Sequence, residues 1–161
     1  MLFHLLFRSV DVWSSARNQS STFNQPQQDP FVGTWKQNLA KSKFDPANLA
    51  PKSGSTSKID AIEGGLKFTN DGVDAAGKPT HNEWSGKFDG KDNPVKGDPN
   101  RDTAALKKID DDTIEIISKK AGKVVGTNRT VFSRDGKTRT QTAYGTNAQG
   151  IKFNNTVVYE K

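Results

Sequence analysis

Phe31-Val32-Gly33-Thr34-Trp35-Lys36 is the stretch on which the reading of the fold turns. It opens the patterned part of the chain and marks a first strand over residues 31–37. Gly33, two positions before Trp35, lets backbones approach closely where that strand enters a sheet. Trp35 can then lie across the end of the structure as a large apolar plug, with a basic side chain stacked on its ring. Arg129, late in the chain, is the expected cap.

Downstream of this stretch, short alternations of apolar and polar residues are cut by turn signals. Glu63-Gly64-Gly65, Asp71-Gly72, Ala76-Gly77, Asp89-Gly90, Asp110-Asp111-Asp112, Ala121-Gly122, Asp135-Gly136 and Gln149-Gly150 punctuate the sequence. That rhythm is the mark of hairpins in an all-β domain. Strands are expected over 31–37, 55–62, 65–70, 79–88, 102–109, 112–119, 122–133, 137–146 and 150–160. The two-residue period of a strand sorts their faces. Ile151, Phe153, Val157 and Tyr159 share one side of the last strand. Asn82, Trp84, Gly86 and Phe88 share another, opposite His81, Glu83, Ser85 and Lys87. Ile114 and Ile116 face away from Glu115. One apolar face per strand is what antiparallel sheets with one wet side allow. Pro46, Pro51 and Gly54 break any long helix between residues 41 and 57.

A hairpin series this long leaves exposed edges unless it closes. The expected architecture is therefore all-β, a single antiparallel up-and-down barrel of about 8–10 strands, in preference to a sandwich. Such a barrel is just wide enough for packed side chains or one small ligand. Residues 29–161 form the barrel domain. Residues 1–28 read as a disordered tail or an atypical signal segment: Met1–Phe7 is short and apolar, Arg8 follows instead of preceding it, and a Ser/Asn/Gln stretch comes next.

Composition excludes several classes of function. Lys and Arg number 24 against 18 Asp and Glu, a net charge of +6. The basic residues are dispersed among acids, so the charge reads as solvated strand faces and no nucleic-acid partner is expected. No apolar run reaches the roughly 18–20 residues of a membrane-spanning helix. The chain has no cysteine and two histidines, His4 and His81. A disulfide framework, a thiol nucleophile and a multi-histidine metal site are thereby excluded. Asp110-Asp111-Asp112 lacks the alternating spacing of a calcium loop, so no metal or cofactor is expected. His81 and Glu83, two apart, could form an acid–base couple, but such pairs are ordinarily surface neighbours.

The first-strand hexamer, with its G-x-W, resembles the signature of the calycin superfamily, the lipocalins and fatty-acid-binding proteins. Thr156-Val157-Val158-Tyr159-Glu160-Lys161 resembles the closing strand of the latter. Together with Lys41-Ser42-Lys43-Phe44 and Asp71-Gly72-Val73-Asp74, the hexamer is similar to a group of bacterial lipocalin-like proteins that are mostly exported. The resemblance covers about residues 29–161 and implies a periplasmic or secreted protein. Two departures stand out. The proline-bearing 44–56 segment does not match the helical lid of the fatty-acid-binding proteins. Their Arg-x-Tyr carboxylate anchor falls on Val157 and Tyr159, so its arginine is missing.

The function expected from these readings is non-enzymatic binding of a small, largely apolar molecule inside the barrel of a monomer. Trp35, Phe68, Trp84 and Phe88 are expected to contact it from the first half of the chain. Leu106, Ile116, Phe153 and Tyr159 are expected from the second, with polar contacts from Arg129 and Tyr144. Two rival readings are a packed barrel serving as a structural or interaction module of the cell envelope, and a calycin-type isomerase or hydrolase. A cavity below about 300 Å³ favours the module; an enzyme needs a titratable group such as His81 facing inward.

Overall fold

The computed structural model describes residues 29–161; the expectation for residues 1–28 lies outside them. Ten strands follow in chain order: β1 (Gly33–Lys43), β2 (Ser53–Ile62), β3 (Gly65–Val73), β4 (Pro79–Lys87), β5 (Asp92–Pro94), β6 (Thr103–Asp110), β7 (Thr113–Lys120), β8 (Lys123–Phe132), β9 (Thr138–Thr146) and β10 (Lys152–Glu160). Two differences from the expected series have simple causes. β1 runs on to Lys43 because Ser42 Oγ accepts from the Val158 amide at 3.0 Å and donates to the Asn38 carbonyl at 2.6 Å. The short β5 was not expected, since Asp92, Asn93 and Pro94 carry no strand alternation. Between β1 and β2, Pro46 and Pro51 leave only a single 3-10 turn, Ala47–Leu49.

All ladders are antiparallel, and the sheet order is β4-β3-β2-β1-β10-β9-β8-β7-β6-β5. The chain therefore winds as a meander whose first and last strands pair, with Gln37 opposite Tyr159 and Lys36 opposite Glu160. The ring is nearly closed. Its one thin seam lies between β4 and the β5–β6 hairpin, where Glu83 and Lys96 exchange two backbone hydrogen bonds of 3.0 and 2.9 Å. Gly97 permits that approach. Its φ is +81°, and a Cβ there would stand 2.3 Å from the His81 carbonyl oxygen. Arg101 laces the seam from inside, with Nε on Asp98 at 2.9 Å, Nη1 on Ser118 at 3.2 Å and Nη2 on Asn82 at 3.3 Å.

Side chains inside the barrel change character along its axis. One end is filled by Phe31, Trp35, Ile59, Leu66, Leu106, Ile114 and Phe132, all but removed from water. Phe31 and Trp35 meet Phe132 edge-on at centroid distances of 4.9 and 5.4 Å, the favoured geometry for aromatic quadrupoles. Further along the same strands the inward positions turn polar. β3 passes from Leu66 and Phe68 to Asn70, and β8 from Phe132 through Thr130 to Asn128. The ladders set these groups side by side: Phe68 opposite Trp84, Asn70 opposite Asn82, Ile116 opposite Asn128.

Trp35 is the plug expected from the sequence, with no exposed surface. Its indole N–H donates to the Phe31 carbonyl at 3.2 Å. The cap is a correction. Arg129 is exposed on the outer face, because in β8 it alternates with the buried Thr130. Two other cations reach the Trp35 ring: Lys161 Nζ, 4.5 Å from its centre, and the Arg139 guanidinium, at 5.6 Å. Gly33 serves this arrangement. At φ +144°, a Cβ there would lie 2.5 Å from Lys161 Cε, so the close neighbour is the terminal lysine stem instead of a backbone.

Candidate functional site

Above the apolar plug the barrel interior holds an open-mouthed cavity of about 350 Å³. Its floor is Arg139 on β9 and Tyr159 on β10, residues directly opposite in the ladder. The guanidinium carbon lies 4.1 Å from the centre of the Tyr159 ring and 5.9 Å from that of Phe132. One wall is the parallel stack of Phe68 on Trp84, with centroids 4.6 Å apart and planes 9° from parallel. Val157, Ile116, Phe44, Pro51 and Val73 add to the apolar part. Nearer the mouth the lining becomes a collar of side-chain amides: Asn70, Asn82, Asn128, Gln141 and Asn155. Asn70 donates to Asn82 at 3.0 Å, and Thr130 donates to Asn128 at 3.1 Å.

Arg139 is the unusual member. It is 4% exposed, and its Nε has no hydrogen-bond partner among the described residues. Burial pushes its pKa down to about 10, with the Tyr159 phenol acting the other way. It is still a cation at neutral pH. A buried charge without an opposite charge costs several kcal/mol, and here three aromatic rings replace the missing anion. At a desolvated site a contact as close as that with Tyr159 recovers about 2 kcal/mol, and the Trp35 and Phe132 rings, at 5.6 and 5.9 Å, add little.

The sequence-predicted residues divide by position. Phe68, Trp84, Ile116 and Tyr159 line the cavity. Trp35 and Leu106 are packed in the plug beneath it. Phe88 lies at the same end, 6.3 Å from Phe31. Phe153 borders a separate hollow of about 200 Å³ beside the mouth. Two placements are corrected. Tyr144, 50% exposed, and Arg129 stand on the outer faces of β9 and β8, because the inward positions of those strands belong to Ala143, Gln141, Asn128 and Thr130. Arg139 and the amide collar were not expected. A larger hollow, about 990 Å³, lies outside the plugged end between Phe31, Phe88 and charged side chains such as Lys108, Arg134 and Asp112. It is not part of the barrel interior.

His81 and Glu83 stand on the outer face of β4, alternating with the inward Asn82 and Trp84. His81 Nδ1 meets Asp71 Oδ1 at 2.6 Å on the rim, and that hydrogen bond raises the imidazole pKa above its ordinary 6.5. Among the described residues no group of three or more His, Cys, Asp or Glu is placed to hold a metal ion, and no helix is long and apolar enough to cross a membrane.

Fold and site together define a nearly closed, ten-stranded antiparallel barrel with an internal cavity, an architecture compatible with the calycin barrels. No protein-family model matches the chain, and no curated protein matches it in sequence.

Proposed function

We propose that this barrel is a non-enzymatic binder of a small molecule held between the Phe68–Trp84 stack and the Arg139–Tyr159 floor. The observation that carries this reading is the cavity of about 350 Å³, larger than the roughly 300 Å³ lower bound of ordinary ligand sites. A barrel serving only as an interaction module would gain more stability by filling that space. Apolar ligand surface laid on Phe68, Trp84 and Ile116 contributes about 25 cal/mol per Å² before the costs of association. The amide collar adds hydrogen bonds near the mouth, so the ligand has polar groups at that end. The outward placement of His81 and Glu83 supports binding over acid–base chemistry by that pair.

Native mass spectrometry of protein purified from its own host tests the proposal. A small-molecule adduct that survives desolvation, and a raised thermal midpoint when that molecule is added back, are expected. Repeated absence of any adduct, with no midpoint shift across a panel of lipids and small acids, overturns it. Placement outside the cytoplasm follows from the resemblance alone, and cell fractionation tests it.

A further inference from the structure

We infer that the amide collar selects a neutral carbonyl compound, a ketone, ester or lactone, whose oxygen accepts from side-chain amide nitrogens that the protein leaves unpartnered. This rests on the binding reading above and narrows it to one ligand chemistry.

The first observation is which end of each amide the protein uses. A backbone N–H and a guanidinium only donate, so the side-chain atom they meet is an oxygen. Gln37 Oε1 accepts from the Ser55 amide at 2.9 Å, Asn155 Oδ1 from the Asp45 amide at 3.1 Å, and Asn82 Oδ1 from Arg101 Nη2 at 3.3 Å. Asn128 Oδ1 accepts from the Thr130 hydroxyl at 3.1 Å. The protein thus engages the oxygens, and the other end of each of these amides is a donor. No group among the described residues accepts from those nitrogens, and none of them is sealed off from solvent. All these residues line the cavity. Asn70 is the exception: its nitrogen donates to Asn82 at 3.0 Å, which leaves its oxygen unengaged. Donors therefore prevail around the mouth. A carbonyl oxygen accepts up to two of them and asks for no acceptor in return.

The second observation is charge. Asp71, the carboxylate on the cavity lining, already pairs with His81 at 2.6 Å, and Arg101 pairs with Asp98 at 2.9 Å. The interior thus offers an ammonium no free anion, and the Arg139 cation on the floor repels it. An anion at the collar would lose its hydration to neutral donors, at a cost that a carbonyl does not incur.

The test uses three probes with one apolar body: 4-tert-butylcyclohexanone, 4-tert-butylcyclohexylamine and 4-tert-butylcyclohexanecarboxylate. Binding to the 15N-labelled full chain is followed by calorimetry and by the side-chain NH2 resonances of Gln37, Asn82, Asn128 and Asn155. The ketone is expected to bind about tenfold or more tightly than either charged analogue and to shift some of those resonances. Asn82→Asp and Gln37→Glu keep the oxygens that accept from Arg101 and Ser55 but turn the facing donor into an acceptor. Each should weaken ketone binding about tenfold and narrow or reverse its lead over the amine. Should both variants fail to fold, the wild-type resonances and the ranking of the probes still decide. Equal or tighter binding of either charged analogue overturns the inference while the cavity reading stands. So does ketone binding that leaves the NH2 signals unmoved or that folded variants do not weaken. If none of the three binds, the molecule carried by host-purified protein decides: a carbonyl compound upholds the inference and any other polar end overturns it. If that protein also carries no adduct, the cavity reading fails and this inference with it.

Discussion

Arg139 and Tyr159 face each other across the β9–β10 ladder, the guanidinium carbon 4.1 Å above the centre of the phenol ring. That contact joins the two halves of the barrel interior. Below it, Trp35 and Phe132 close one end; above it, the cavity begins.

Retaining an unpaired buried cation here lowers stability, as residues kept for function often do. Replacing Arg139 with Met keeps most of the volume and removes a desolvation cost of several kcal/mol, against a loss of about 2 kcal/mol from the aromatic contacts. Arg139→Met is therefore expected to raise the unfolding free energy by about 1 kcal/mol, measured by urea denaturation. A fall of similar size would show that the aromatic stacking outweighs the desolvation.

Trp35 fills the closed end, and its indole hydrogen bond to Phe31 fixes how the chain enters β1. Trp35→Ala should cost about 3–5 kcal/mol, a large share of the stability of a domain this size. Trp35→Phe keeps most of the ring but loses the hydrogen bond, so it should cost less. Chemical denaturation of both variants checks the ranking; equal effects would mean that the packing of a six-membered ring at this position contributes nothing.

The rim pair His81–Asp71 titrates. The Asp71 hydrogen bond raises the histidine pKa, so the pair's small stabilisation is fully present below about pH 6.5. It is lost as pH rises through the higher folded-state value. The pair is exposed, which keeps the effect slight. A histidine NMR titration should place His81 above the ordinary 6.5, and Asp71→Asn should lower it again. An unperturbed His81 would mean that the 2.6 Å contact does not persist in water.

The seam between β4 and the β5–β6 hairpin depends on one backbone bridge and on Arg101. Arg101→Ala removes its bonds to Asp98, Ser118 and Asn82. The amides of Glu83 and Lys96 should then exchange about tenfold faster, while those of Trp35 and Ile59 stay protected. Uniform acceleration would show that the seam does not open on its own.

The sequence made the meander legible because its strands alternate clearly between turn signals. Ile114 and Ile116, Trp84, Val157 and Tyr159 all face inward as the period of two requires. β5 was hidden because Asp92-Asn93-Pro94 is too short to show an alternation and ends in a proline. Arg139 was hidden for a related reason: Thr138-Arg139-Thr140-Gln141-Thr142-Ala143 is polar on both faces, so alternation gave no contrast there. Arg129 falls with Val131 on the face opposite Thr130 and Phe132, and which of those faces turns inward is set by the buried Phe132. The amide collar did leave a trace. Along β3, β4 and β8 the inward series runs from large apolar residues to asparagine, a gradient that sorting by face alone averages away.

The central claim is that the cavity between the Trp35 plug and the mouth accepts a ligand. The most direct measurement is a 15N–1H NMR titration of the full chain with the molecule recovered from host-purified protein, following the Trp84 indole N–H and the inward-facing residues of β3, β8 and β9. The account predicts shifts at Trp84, Asn70, Asn128, Arg139 and Gln141, with the outward Val131 and Tyr144 unmoved. Shifts confined to the outer face, or no shift at any inward position, would contradict it.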